Sequence, residues 1–121
     1  MPNPVVHFEI QAAAPEAQQK FYSALFGWSI DANNEMSCGL VEAQAEGGIG
    51  GGIGPAGDAA QTSRVTFYVM VDDLRAYLDK AAGLGATEAL PPTELEANGE
   101  KFSIAAFIDP EGNFIGLYNN A

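Results

Sequence analysis

The second half of this 121-residue chain repeats the pattern of its first half, and the repeat restricts the available folds more than any single motif does. In Val5-Val6-His7-Phe8-Glu9-Ile10, the residues Val6, Phe8 and Ile10 alternate with Val5, His7 and Glu9, the period-two pattern of a strand with two distinct faces. Arg64-Val65-Thr66-Phe67-Tyr68-Val69 behaves in the same way, and its alternation continues through Met70 and Val71. Each strand is followed by a helix pattern that stops at Gly and then by three short strand-like runs. His7 aligns with Thr66, about 60 residues on, which is too long for a solenoid period and suits two copies within one pseudo-symmetric domain. The expected fold class is therefore α+β. Two tandem βαβββ units, about 1–56 and about 63–121 with a linker at about 55–62, would form a single domain, 1–121, with a cupped mixed β-sheet and the helices outside.

Local signals place the elements. Pro15 suits a first helical position, Phe21, Tyr22, Leu25 and Phe26 give the helix an apolar face, and Gly27 suits the left-handed stop. Core packing accounts for that aromatic stripe. Trp28-Ser29-Ile30 is an extended run, Asn33-Asn34 a turn, and Met36 to Val41 a further strand. Gly47 to Gly54 contains only Gly and Ile, and reads as a flexible loop or as a thin strand beside a cavity. Asp72 or Asp73 caps a second helix with the apolar face Leu74, Tyr77, Leu78, Ala81 and Leu84, which Gly85 ends. Thr87 to Leu90 is a strand that Pro91-Pro92 confines to an edge or terminates. Glu100 to Ile108 and Phe114 to Tyr118 are strands joined by the turn Asp109-Pro110-Glu111-Gly112-Asn113.

Charge narrows the partners. Sixteen acidic side chains against five basic ones give a net charge of −11, which repels nucleic acid and anionic membrane surfaces and keeps the protein soluble. Cys38 is the only cysteine, so no intramolecular disulfide can form, and an unpaired cysteine in a strand-like run reads as a small buried hydrophobe. The N-terminus lacks the basic-then-apolar pattern of a secretory signal, and no apolar run reaches membrane-spanning length, so a cytoplasmic location is expected. The glycine run lacks the Lys-Ser/Thr ending of a phosphate loop.

The segments Val5 to Ile10, Phe21-Tyr22-Ser23-Ala24-Leu25-Phe26-Gly27-Trp28, Tyr68 to Leu74 and Asp109 to Leu117 resemble the vicinal oxygen chelate superfamily. This is the superfamily of the glyoxalases, bleomycin-resistance proteins and extradiol dioxygenases, and the resemblance covers nearly the whole chain. It implies metal ligands on the first and last strands of each unit. Of these, His7 matches the first, Thr66 stands where a second His is usual, and Gly116 stands where a Glu is usual. The corresponding place in unit one falls at Gly50 or Gly51. A divalent centre needs about three protein donors, so no metal and no cofactor are expected, with His7 the ligand if a metal binds at all.

The alternation points His7, Glu9, Thr66, Tyr68 and Met70 into a cavity between the two units, with Trp28, Phe114 and Tyr118 as walls and Gly116 as open space. The ligand-binding candidates are accordingly His7, Glu9, Thr66, Tyr68, Met70, Phe114 and Gly116. The leading expectation is a metal-free small-molecule-binding protein that acts as a homodimer, and its acidity would favour a cationic ligand. The alternatives are a metal-dependent lyase, isomerase or dioxygenase, a metal-free enzyme with His7, Glu9 and Tyr68 as catalytic candidates, and an accessory module with a vestigial cavity. In the metal-free enzyme, His7 would be a general base held by Glu9, whose charge would raise the imidazole pKa.

Overall fold

The computed structural model describes residues 2–32, 38–55, 64–97 and 99–120. The expected turn at Asn33-Asn34, the start of the strand at Met36-Ser37 and linker residues 56–62 lie outside them. The described elements run β1 (Val5–Ala12), α1 (Pro15–Phe26), β2 (Ile30–Asp31), β3 (Gly39–Val41), β4 (Gly50–Pro55), β5 (Arg64–Met70), α2 (Leu74–Gly83), β6 (Thr87–Ala97), β7 (Glu100–Ile108) and β8 (Phe114–Asn119). The α+β class and the doubled β-α-β-β-β order both follow the sequence pattern. No helix among the described residues is long and apolar enough to cross a membrane.

Contacts divide the chain into two compact units, His7–Thr66 and Met1–Val6 with Phe67–Ala121. The N-terminal residues thus belong with the second half of the chain. There the Met70 amide donates to the Pro4 carbonyl at 2.9 Å and the Tyr77 hydroxyl to Asn3 Oδ1 at 3.3 Å.

In the His7–Thr66 unit the strand order is β2-β3-β4-β1, with β1 parallel to β4 and the other pairs antiparallel. Of the glycine run, Gly50 to Gly54 lie in strand β4 while Gly47 to Ile49 precede it, and the register is His7↔Gly50, Phe8↔Gly51 and Glu9↔Gly52. Helix α1 opens at Pro15 and closes at Gly27, whose φ of 71° is left-handed and whose amide donates to the Ser23 carbonyl at 2.9 Å. The Gln19 Nε2 donates to the Ile53 carbonyl at 2.9 Å and ties the helix to β4. None of the α1 residues is buried among the described residues. Phe21, Leu25 and Phe26 are each more than half exposed, contrary to the core role expected for them.

The other unit orders its strands β5-β8-β7-β6, with β5 parallel to β8. Its core is Val71, Leu74, Leu78, Ala105 and Leu117, so α2 is anchored as its pattern required. Asp73 caps α2 by accepting from the Ala76 amide at 3.1 Å. Leu84 was expected on the apolar face of α2 but is 73% exposed. Strand β6 runs straight through Pro91-Pro92, because it lies at the sheet edge and shifts register between Glu88 and Leu90 and again between Leu90 and Thr93. An edge strand with bulges does not need the missing N–H groups. The Asp109 turn closes through bonds from the Glu111 and Asn113 amides to Asp109 Oδ1, each 2.9 Å, which hold this carboxyl below its ordinary range.

Candidate functional site

On β1 the side chains alternate as the sequence requires. Phe8 packs towards α1, its ring centroid 5.4 Å from that of Trp28, which itself stacks on Tyr22 at 5.4 Å. His7 and Glu9 occupy the opposite face. Trp28 therefore belongs to the helix-side aromatic cluster and does not wall the His7 face, which corrects the sequence expectation.

The His7 face also carries Cys38, which the sequence places correctly as a buried hydrophobe but not beside His7. Cys38, just before β3, is buried, and its Sγ lies 3.0 Å from where a Cβ on Gly52 would stand and 3.1 Å from the same point on Gly54. The His7 Nε2 approaches that Gly52 point to 3.8 Å. Glycine at position 52 is what lets the thiol and the imidazole converge over β4. Spacing could not have revealed this, since His7 and Cys38 are separated by α1 and β2. Only the pairing Gly39↔Ile53 brings Cys38 back over β4.

Charge at this face is set by burial. Desolvation pushes the Cys38 thiol up from 9.0 to about 11, the negative charge of Glu9 adds to the rise, and a backbone hydrogen bond with Ile53 opposes it. A thiol so placed stays protonated and is a poor nucleophile. Burial moves His7 below its ordinary value of 6.5, opposite to the carboxylate-raised base anticipated from Glu9. Glu9 is held from the other side, because Gln11 Nε2 donates to Glu9 Oε1 at 3.1 Å and Arg64 Nε donates to Gln11 Oε1 at 2.8 Å. A neutral imidazole and an anchored carboxylate can together accept and donate hydrogen bonds to a small polar group.

The matching face of the second unit is built on β5 and β8. Tyr68 is buried and pairs in register with Gly116, where any Cβ would overlap the Tyr68 ring. Met70 pairs with Tyr118, whose ring lies 5.6 Å from that of Phe102 and whose hydroxyl is pushed up by burial and then by Glu100. Alternation puts Phe114 on the Gly116 face, and Thr66 is buried at 4% exposure.

Register also settles the correspondence between the glycines. Glu9, two residues after His7, pairs with Gly52, and Tyr68, two residues after Thr66, pairs with Gly116. Gly52, rather than Gly50 or Gly51, is thus the counterpart of Gly116. Neither glycine opens the space expected of it, since Cys38 fills the room at Gly52 and the Tyr68 ring fills it at Gly116. A separate groove of about 740 Å³ runs along α1 between Pro15, Gln19, Ile30 and Pro55, and neither His7, Glu9 nor Cys38 lines it.

An α+β chain of doubled βαβββ order, with a first-strand histidine opposite a glycine strand, defines a glyoxalase-type domain. The chain belongs to the glyoxalase-like domain family, which matches residues 7–117. It is 29% identical over 115 residues to the protein named "Putative glyoxylase CFP32" of Mycobacterium bovis, a match covering 91% of this chain and 43% of that protein. The chain therefore spans less than half the length of the curated relatives it matches. Among solved structures, a glyoxalase/bleomycin resistance protein/dioxygenase superfamily member from Vibrio splendidus shares the fold with a TM-score of 0.65, 14% identity and coverage of 99% of this chain and 100% of that one. The Mn(II)-bound glyoxalase from Novosphingobium aromaticivorans gives a TM-score of 0.59 at 18% identity, covering 98% of this chain and 38% of that one.

The described residues of the His7 face and of the β5–β8 face do not fit a divalent metal. Among the described residues no group of three or more His, Cys, Asp or Glu side chains is arranged to hold one. A catalytic centre draws about three protein donors. Thr66 offers at most a neutral hydroxyl, and Gly52 and Gly116 offer no side chain.

Proposed function

We propose that this chain is a small-molecule-binding protein that works without a metal ion, with His7 and Glu9 as its polar anchors. The observation that carries this reading is the filling of both glycine positions, by the Cys38 thiol at Gly52 and the Tyr68 ring at Gly116. Each occupant stands where a last-strand carboxylate would have to sit, and neither is a hard oxygen donor of the kind that Mn(II) prefers. Thr66, Tyr68, Met70, Phe114 and Gly116 form the second set of ligand-facing candidates. Affinity would come chiefly from apolar burial, and orientation from the imidazole and the carboxylate. A cytoplasmic homodimer is part of this reading, by resemblance to the superfamily.

The test is a thermal-shift screen of small organic acids, amines and aromatic compounds in the presence of EDTA, repeated with His7→Ala. Losing the imidazole contact should weaken a true ligand about tenfold or more, since a buried hydrogen bond contributes about 1–3 kcal/mol when its partner is left unpaired. Hits that bind His7→Ala as well as the wild type, with the far-UV spectrum unchanged, would overturn the assignment.

A further inference from the structure

Helix α1 is an anomaly in this molecule. Its counterpart α2 buries Leu74 and Leu78, whereas α1 buries none of its residues among those described. Phe21 is 54% exposed, and Leu25 and Phe26 are each 57% exposed. The surface they form is ordered by its own rings. Phe21 meets Tyr22 edge-on at 4.9 Å, Tyr22 stacks on Phe26 at 6.1 Å, and Phe26 lies 5.2 Å from Trp28. Rigid aromatic rings lose little side-chain entropy on association, which favours them at protein contacts.

Charge identifies the occupant. The chain carries 16 acidic side chains, yet from Ala17 to Ile30 there is none, and Lys20 is the only charged residue in that stretch. Two copies of a −11 molecule repel each other over most of their surfaces, and like charges brought together at a contact cost free energy. The exposed Phe21, Leu25 and Phe26 lie within that acid-free stretch, where the cost is small and apolar surface is there to be covered. A strongly basic partner would instead be drawn to the acidic surfaces elsewhere and would gain nothing from the acid-free stretch Ala17 to Ile30.

We propose that the Phe21–Leu25–Phe26 face of α1 is the contact through which a second copy of this chain docks, about a twofold axis. The proposal rests on the homodimer reading above and adds the surface to it. The three side chains leave roughly 100 Å² each uncovered, about 300 Å² per copy and about 600 Å² in all, well below the roughly 1,200 Å² of a standard interface, so the contact is a weak, transient one. The dimer is therefore reversible, and tighter at high salt because screening relieves the repulsion between copies.

Sedimentation velocity of the wild type between about 1 and 100 µM should show a concentration-dependent dimer that strengthens in added salt. Leu25→Glu and Phe21→Glu, which place acids in the acid-free stretch, should each weaken it at least tenfold. Leu84→Glu should leave it unchanged, although Leu84 is the more exposed residue at 73%. All of these positions are exposed, and circular dichroism would check that each variant is folded. A wild-type dimer that both α1 variants retain would overturn the surface and leave the homodimer standing. A wild type that stays monomeric throughout would overturn both.

Discussion

Cys38 and His7 report the same physical setting in opposite directions. Burial keeps the thiol protonated to about 11 and keeps the imidazole neutral below its ordinary 6.5. For Cys38 the folded value is raised, so its contribution to stability is complete below pH 9, where both states hold the proton. That contribution is lost as pH rises towards 11, while the unfolded chain ionises first. Thermal melts from pH 8 to 11 should show a loss on the order of 1–2 kcal/mol that Cys38→Ala removes. For His7 the sign reverses, because below pH 6.5 the unfolded chain takes up a proton that the folded one resists. Stability should fall with acid, and His7→Gln should flatten that fall. Gly116→Glu, which restores the superfamily's usual ligand type, should destabilise by about 1–3 kcal/mol through overlap with the Tyr68 ring and should bind no Mn(II). Calorimetry and a metal titration check both halves of that prediction. His7, Glu9 and Tyr68 were legible as site candidates because strand alternation is local. Cys38 was legible as a buried hydrophobe, but its place beside His7 was not, since only the pairing of β3 with β4 brings its thiol to Gly52.

At the scale of elements, the two helices carry different weight in their units. Asp73→Ala removes the α2 cap and should cost about 1 kcal/mol, seen as a drop of a few degrees in Tm, because α2 is anchored in the core by Leu74 and Leu78. The strand-helix order, Pro15 at the helix start, Gly27 at its stop and the Asp109 turn could all be read from the sequence, because each is enforced by chemistry within a few residues. For Pro91-Pro92 the sequence left edge confinement and termination open, and the edge position of β6 decided it. Two features could not be read. The match of Gly52 to Gly116 depends on ladder register. The exposure of Phe21, Leu25 and Phe26 depends on what covers α1, and an amphipathic pattern does not distinguish a core-facing stripe from a partner-facing one.

For the whole molecule, the sequence pattern and the family match agree on a glyoxalase-like domain, while the donor set among the described residues departs from metal chemistry. One scaffold hosts many activities, so function has to be argued from the site and not from the fold. Here the β1 face offers a neutral imidazole, a tethered carboxylate and a protonated thiol, over a glycine at the last-strand position Gly52. The most direct test of that account is native mass spectrometry of the purified chain after equilibration with Mn(II), Ni(II) or Zn(II) and desalting. The account predicts polypeptide masses free of bound metal, with any retained adduct an organic molecule that His7→Ala sheds. One divalent ion retained per chain, and lost in His7→Ala, would contradict it.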